Sequence, residues 1–145
     1  MKKTILISNR DDQEVDSLSA FFHKIGYRVE TARLLVDMLN KVRSINIQVL
    51  LLDDEIEGVK AWDLIPLVKK IKPWLQVIMI SSEGSIDWVR RLRRAGIFYQ
   101  AMKPVDLEEV ESAVTCAFEK IERERLREEP FSFFVPGRVL TLCSN

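Results

Sequence analysis

Short apolar runs alternate with longer amphipathic stretches along this chain. The runs are Thr4–Ser8, Tyr27–Glu30, Gln48–Leu52, Leu75–Ile80 and Phe98–Met102. Three hold unbroken apolar cores, ILI, VLLL and VIMI, as expected for parallel strands covered on both faces. Between the runs, apolar side chains recur at three- and four-residue steps, the spacing of a helix with one buried face. The stripes are Val15, Leu18, Phe22 and Ile25; Leu34, Leu35, Met38, Leu39 and Val42; Trp62, Ile65, Val68 and Ile71; Ile86, Val89 and Leu92; and Leu107, Val110, Val114, Ala117 and Ile121. Gly26 and Gly96 close the first and fourth helices, and Pro73 ends the third.

Five strand–helix pairs with short crossovers predict an α/β domain, a three-layer doubly wound (βα)5 unit around a five-stranded parallel sheet. In such sheets a site lies in the crevice beyond the carboxyl ends of the strands. Asn9, Arg10 and Asp11 follow the first run, Asp53 ends the third, Ser81 the fourth and Lys103 the fifth. Topology alone therefore brings these distant residues to one rim.

Residues 1–125 read as this domain, and 126–145 as the end of the fifth helix followed by an apolar tail. The stretch EKIERERLREE, 119 to 129, mixes charges of both signs. It reads as a solvated extension or, given the seven-residue step of Leu107, Val114 and Ile121, as a signalling or dimerising stalk. Pro130 stops the helix. The tail FSFFVPGRVLTLCSN has no helical period and reads as a linker, a packed extension or a segment foreign to the natural chain.

Composition changes the picture mainly by exclusion. A length of 145 residues suits one core, and 47% hydrophobic with 30% charged residues is ordinary for a globular chain. Twenty-two basic and 22 acidic side chains cancel, so no global field selects nucleic acid or an acidic membrane. No apolar run approaches the ~20 residues of a membrane span. The apolar stretch at the N-terminus, about four residues, is short of the ~7–15 of a signal peptide. Cys116 and Cys143 have no metal spacing, and the expectation is a cytoplasmic protein with both thiols reduced.

The rim carries the chemistry. A carboxylate at the mouth of a parallel sheet can attack a phosphoryl group and form an acyl phosphate. That product needs cationic and hydrogen-bonding partners, which Lys103 and Ser81 can supply. The plainer alternative is a rim ion pair between Asp53 and Lys103.

From about residue 3 to 125 the chain resembles the receiver domain of bacterial two-component response regulators. The resemblance rests on VLLLD with Gly58 five residues beyond Asp53, on VIMISS, on RAG before the last strand, and above all on KPVDLEEV from 103 to 110. It implies a flavodoxin-like fold with strand order 2-1-3-4-5. It also implies a signalling rather than catalytic role: Asp53 accepts phosphate from a histidine kinase or phosphotransfer protein and so controls a protein output partner. Ser81 then turns toward the phosphate, Lys103 contacts it, and the Lys103–Pro104 bond is a cis candidate.

Four departures from the family pattern bear on that role. Receivers place two adjacent acids after the first strand to hold magnesium, but here Asn9 and Arg10 stand there. Magnesium wants hard oxygen ligands, and Arg10 offers only donors and positive charge. One reading slides Asp11 or Asp12 into the pocket, beside Asn9 and the carbonyl position of Glu55, to rescue the metal. The other lets Arg10 replace its charge: a guanidinium about 4 Å from Asp53 contributes on the order of 4 kcal/mol at an effective dielectric near 20, before desolvation. Gln100 occupies the usual aromatic switch position, Glu57 stands where proline is usual, and Glu55 adds negative charge. A phosphorelay receiver and a phosphorylation-independent pseudo-receiver acting as an interaction module both remain open.

Outside the rim, RRLRR places Arg90, Arg91, Arg93 and Arg94 on the fourth helix around Leu92. Four arginines without interleaved aromatics or a base-reading motif are weak grounds for nucleic acid. In receivers the face of the fourth helix, fifth strand and fifth helix makes dimers and output contacts, and the acids of DLEEVE can match these arginines across a twofold. His23 reads as a surface or half-buried residue, and Trp62, Trp74 and Trp88 as packing residues. No P-loop, dinucleotide turn or Ser/His/Asp arrangement occurs.

Overall fold

The structure is a computed structural model and describes residues 2–128. In chain order its strands are β1 (Thr4–Ser8), β2 (Arg28–Ala32), β3 (Val49–Asp53), β4 (Glu55–Ile56), β5 (Val59–Lys60), β6 (Gln76–Ser81) and β7 (Tyr99–Met102). The helices are α1 (Asp12–Lys24), α2 (Leu35–Ser44), α3 (Ala61–Ile71), α4 (Ile86–Ala95) and α5 (Leu107–Glu128). Five strands form one parallel sheet in the order β2-β1-β3-β6-β7. Counted by sheet strands alone, that is the expected 2-1-3-4-5.

Alternation along each strand divides the core into two layers. Leu6, Leu50, Leu52, Val77 and Met79 face α2, α3 and Leu92 of α4. Ile5, Ile7, Val49, Leu51, Ile78 and Ile80 face α1 and α5. β1, β3 and β6 are buried along their whole length, which is why their sequences read as continuous apolar runs.

Register fixes the rim. Ser8 pairs with Leu52, Asp53 with Ile80 and Ser81 with Met102, so β1, β3 and β6 each end within one residue of the next and β6 ends level with β7. Lys103 follows β7 directly, its backbone N–H donating to the Ser81 carbonyl at 2.8 Å. The Lys103–Pro104 bond is cis.

The small antiparallel hairpin of β4 and β5 has no counterpart in the sequence pattern. Its two turn residues, Glu57 and Gly58, have φ of +50° and +82°, the pattern of a tight hairpin turn whose twist matches its strands. Glu57 is a costly residue at positive φ. Its carboxylate, however, accepts the Leu35 N–H at 2.6 Å and caps α2, whose own N-cap, Leu34, has no side chain to offer. Proline, with φ held near −65°, could not stand here.

Several stripe positions face solvent. Leu34 is 58% exposed because it lies outside the helix as its cap, and Trp74 is 52% exposed just past α3. Ile86 is 75% exposed, leaving Leu92 as the single buried residue of α4. α5 is as long as its pattern predicts, and Val114 from the seven-residue step is spent on the sheet. Cys116 on α5 is not a free thiol, contrary to the expectation of reduced cysteines. Cys143, Pro130 and the apolar tail lie outside the described residues. Among the described residues no helix is long and apolar enough to cross a membrane.

Candidate functional site

Asp53, the last residue of β3, is 1% exposed although it sits at the rim. Every direction around its carboxylate is taken. Oδ2 accepts from the Arg10 Nε at 2.8 Å and from the Arg10 backbone N–H at 3.1 Å. Oδ1 accepts from the Lys103 ammonium at 3.2 Å and from the Asp54 N–H at 2.8 Å. A carboxylate offers about four lone-pair positions, and four donors occupy them.

Burial by itself would raise the Asp53 pKa. The Arg10 side-chain and backbone hydrogen bonds, the Asp54 N–H and the Lys103 charge together outweigh burial and hold the carboxyl below its usual range. Reciprocally, the hydrogen bond to Asp53 raises the Arg10 guanidinium against the opposing pull of burial, with the charges of Asp53, Glu55 and Asp54 adding to the rise. The guanidinium is half exposed and also lies 3.8 Å from Glu55. Glu55 in turn pairs with Lys60 at 2.8 Å across the hairpin, which lowers its pKa. Lys103 reaches a second acid, Glu14, at 3.6 Å.

The other acids proposed for a metal lie elsewhere. Asp11 is the N-cap of α1, its carboxylate accepting the Gln13 N–H at 2.9 Å. Asp12 is exposed and pairs with Arg33 at 3.0 Å. The Asn9 side-chain oxygen, the neutral ligand on offer, accepts the Asp11 N–H at 2.9 Å. Among the described residues no three His, Cys, Asp or Glu side chains gather to hold an ion. With a guanidinium against Asp53 and its oxygens saturated, the residues present do not fit a divalent cation.

Ser81 ends β6 as expected, but its hydroxyl donates to Asp54 rather than to Asp53. Asp54 is 4% exposed and also accepts the Ser82 N–H at 2.9 Å, the Ser82 hydroxyl at 3.0 Å and the Trp88 indole N–H at 3.3 Å. Residue-by-residue reading missed Asp54, Ser82, Trp88 and Glu14. The doubled acid of VLLLDD was the one available signal. Gln100 sends its amide to the Glu83 carbonyl at 3.2 Å, while the neighbouring Tyr99 hydroxyl donates to Glu109 of α5 at 2.6 Å. Of the four α4 arginines, Arg91 stacks on Trp62, 5.0 Å from the ring centroid. Arg90, Arg93 and Arg94 instead line a shallow groove with Ile86 and Val89.

Comparison with known proteins agrees with this architecture. Residues 5–115 match the response regulator receiver domain. Over 114 residues the chain is 27% identical to the DNA-binding transcriptional regulator NtrC of Azospirillum brasilense, covering 79% of this chain but only 24% of that protein. Over 97 residues it is 27% identical to sporulation initiation phosphotransferase F of Bacillus subtilis, covering 67% of this chain and 78% of that one. The CheY-like receiver domain protein of Methanospirillum hungatei superposes with a TM-score of 0.80 at 24% identity, over 86% of this chain and 99% of the other, a likeness of fold. The chain belongs to the response regulator receiver domain family of two-component systems.

Proposed function

We propose that this receiver domain works as a protein-interaction module held in one conformation by Arg10, without a phosphorylation cycle at Asp53. The observation that carries this reading is the pairing of Arg10 with Asp53 through both its Nε and its backbone N–H. A nucleophilic carboxylate must present a free lone pair to an incoming phosphoryl group. Here the Arg10 side chain covers one oxygen, while Lys103 and the Asp54 N–H engage the other. The guanidinium supplies fixed positive charge where the family pattern calls for two metal-binding acids. Fixed charge can keep Asp53 ionised, but it does not bridge carboxylate and phosphoryl oxygens as a divalent ion does. The exposed groove of α4 beside β7 is the surface offered to an output partner or to a second copy.

A second reading keeps Asp53 as the acceptor of phosphate from a histidine kinase or phosphotransfer protein. The ion pair of Lys103 with Asp53 favours it, since a lysine so placed would also meet a phosphoryl group. Arg10 would then have to swing out.

Intact mass after incubation with acetyl phosphate and magnesium separates the two. The wild type is expected to show no added phosphoryl group, and Arg10→Asp, which restores an acid at that position, to gain one. A magnesium-dependent gain in the wild type that disappears in Asp53→Asn would overturn the first reading in favour of the second.

A further inference from the structure

We infer that Asp54 is a positioning residue that clamps α4 and withholds the Ser81 hydroxyl from Asp53. The inference deepens the proposed single-conformation module and rests on that reading for its significance, though its geometry stands independently.

Asp53 and Asp54 face different tasks although they are adjacent. The Asp54 carboxylate turns away from Arg10 and Lys103 toward the loop after β6. Four donors converge on it: the Ser81 hydroxyl, the Ser82 N–H, the Ser82 hydroxyl and the Trp88 indole N–H. All four are neutral groups, drawn from the end of β6, the loop after it and the helix that follows. Hydrogen bonds to an ionised acceptor are the strong ones, and low local dielectric strengthens them further.

α4 depends on such contacts because it has little else. Leu92 is its single buried side chain, and Ile86 at its start is 75% exposed. Its first turn is held by the Ser85 hydroxyl, which accepts the Trp88 N–H at 3.3 Å, and by the Trp88 ring. That ring packs edge-on against Trp62 of α3, centroids 4.6 Å apart, under the Lys60 ammonium. Trp88 is thus fixed at one end by aromatic packing and at the other by Asp54. Without the acid, an apolar wedge remains but the polar tie between β3 and α4 is gone.

The same acid commits Ser81. A hydroxyl has one proton to donate. While it goes to Asp54, or to the Glu83 carbonyl 3.0 Å from the Ser81 oxygen, Ser81 has none for a group on Asp53. The backbone N–H of Glu83 donates back to the Ser81 oxygen at 3.3 Å, fixing the rotor from the other side. Asp54, with the Glu83 carbonyl beside it, therefore competes with Asp53 for Ser81, and in this structure Asp54 is the nearer acceptor.

The test is amide hydrogen exchange followed by mass spectrometry on Asp54→Ala and Trp88→Phe, with the wild type as reference. Removing the acid is expected to speed exchange across residues 82–92 by at least about tenfold, the scale of losing one hydrogen bond to a charged group, while β1 and β3 keep wild-type protection. Trp88→Phe keeps an aromatic side chain and Asp54 but removes the indole donor, and several-fold faster exchange confined to the first turn of α4 is expected. It remains informative if the alanine variant fails to fold. Unchanged exchange at α4 in Trp88→Phe, or acceleration spread evenly over the sheet in Asp54→Ala, would overturn the clamp. Phosphorylation is read separately by intact mass. A wild type that takes up phosphate would defeat the Arg10 reading and leave the exchange result to decide the clamp alone.

Discussion

At the scale of single residues, the arrangement turns on one substitution of charge sign. Asp53 is buried and accepts one hydrogen bond from the Arg10 backbone and one from its side chain, so removing that side chain leaves Lys103 as its paired cation. Losing one partner of a fully buried pair costs roughly 3–5 kcal/mol. The half-exposed guanidinium is screened by water, so Arg10→Ala should cost about 1–2 kcal/mol at pH 7. The pH dependence follows from the depressed pKa of Asp53. Stability from a depressed carboxyl is complete above its unfolded value of about 3.9 and is lost as pH falls through the lower folded value. Urea midpoints of wild type and Arg10→Ala should therefore differ at pH 7 and converge below about pH 4. A gap as wide at about pH 3 as at pH 7, with no narrowing below the unfolded value, would show that Arg10 acts through packing instead. Much of this cluster could be read from the chain, because Arg10, Asp53 and Lys103 each sit at or just past the end of a recognisable strand. Asp54 could not be assigned in the same way. Whether the second of two adjacent acids looks into the pocket or toward α4 depends on the bend after β3, which no periodicity records.

Elements were legible in proportion to how completely they are buried. β1, β3 and β6 bury both faces, so their apolar runs have one interpretation. α4 has the opposite character: Ile86 and Val89 keep helical spacing with Leu92, yet only Leu92 enters the core. A stripe can serve an exposed groove as well as a core, and spacing does not distinguish them. The β4–β5 hairpin was hidden for a different reason, since each strand is two residues long and its turn uses Glu rather than Asn before Gly. Its consequence is measurable. Glu57 caps the N-terminus of α2 through Leu35, and such a cap contributes about 1 kcal/mol. Glu57→Ala should lose about that amount in urea unfolding. Glu57→Pro, which installs the residue common in the family, should lose clearly more, because it cannot reach a φ of +50°. Equal stability of the proline variant and the wild type would mean that the hairpin turn is not needed.

At the scale of the whole molecule, net charge is zero but its distribution is uneven. Arg90, Arg93 and Arg94 lie on α4, with Ile86 and, beyond them, Met102 at 40% exposure on β7. Asp106 and Glu108 are exposed at the start of α5. A twofold axis through this face can set the arginines of one copy against the acids of the other, with the apolar residues between them. Stable dimers bury about 800 Å² per partner, and rim charges alone contribute little to that affinity. The expected outcome is therefore weak self-association whose strength depends on salt. In sedimentation velocity, the weight-average coefficient should rise with protein concentration at low ionic strength. It should fall back toward the monomer value at about 1 M salt, where the screening length shrinks to about 3 Å. Arg93→Glu together with Arg94→Glu should abolish the rise at every salt concentration. Association that strengthens with salt would point to Ile86 and Met102 as the driving contacts. A wild type that stays monomeric throughout would leave this face to a different partner, one whose acidic surface the same arginines would still select.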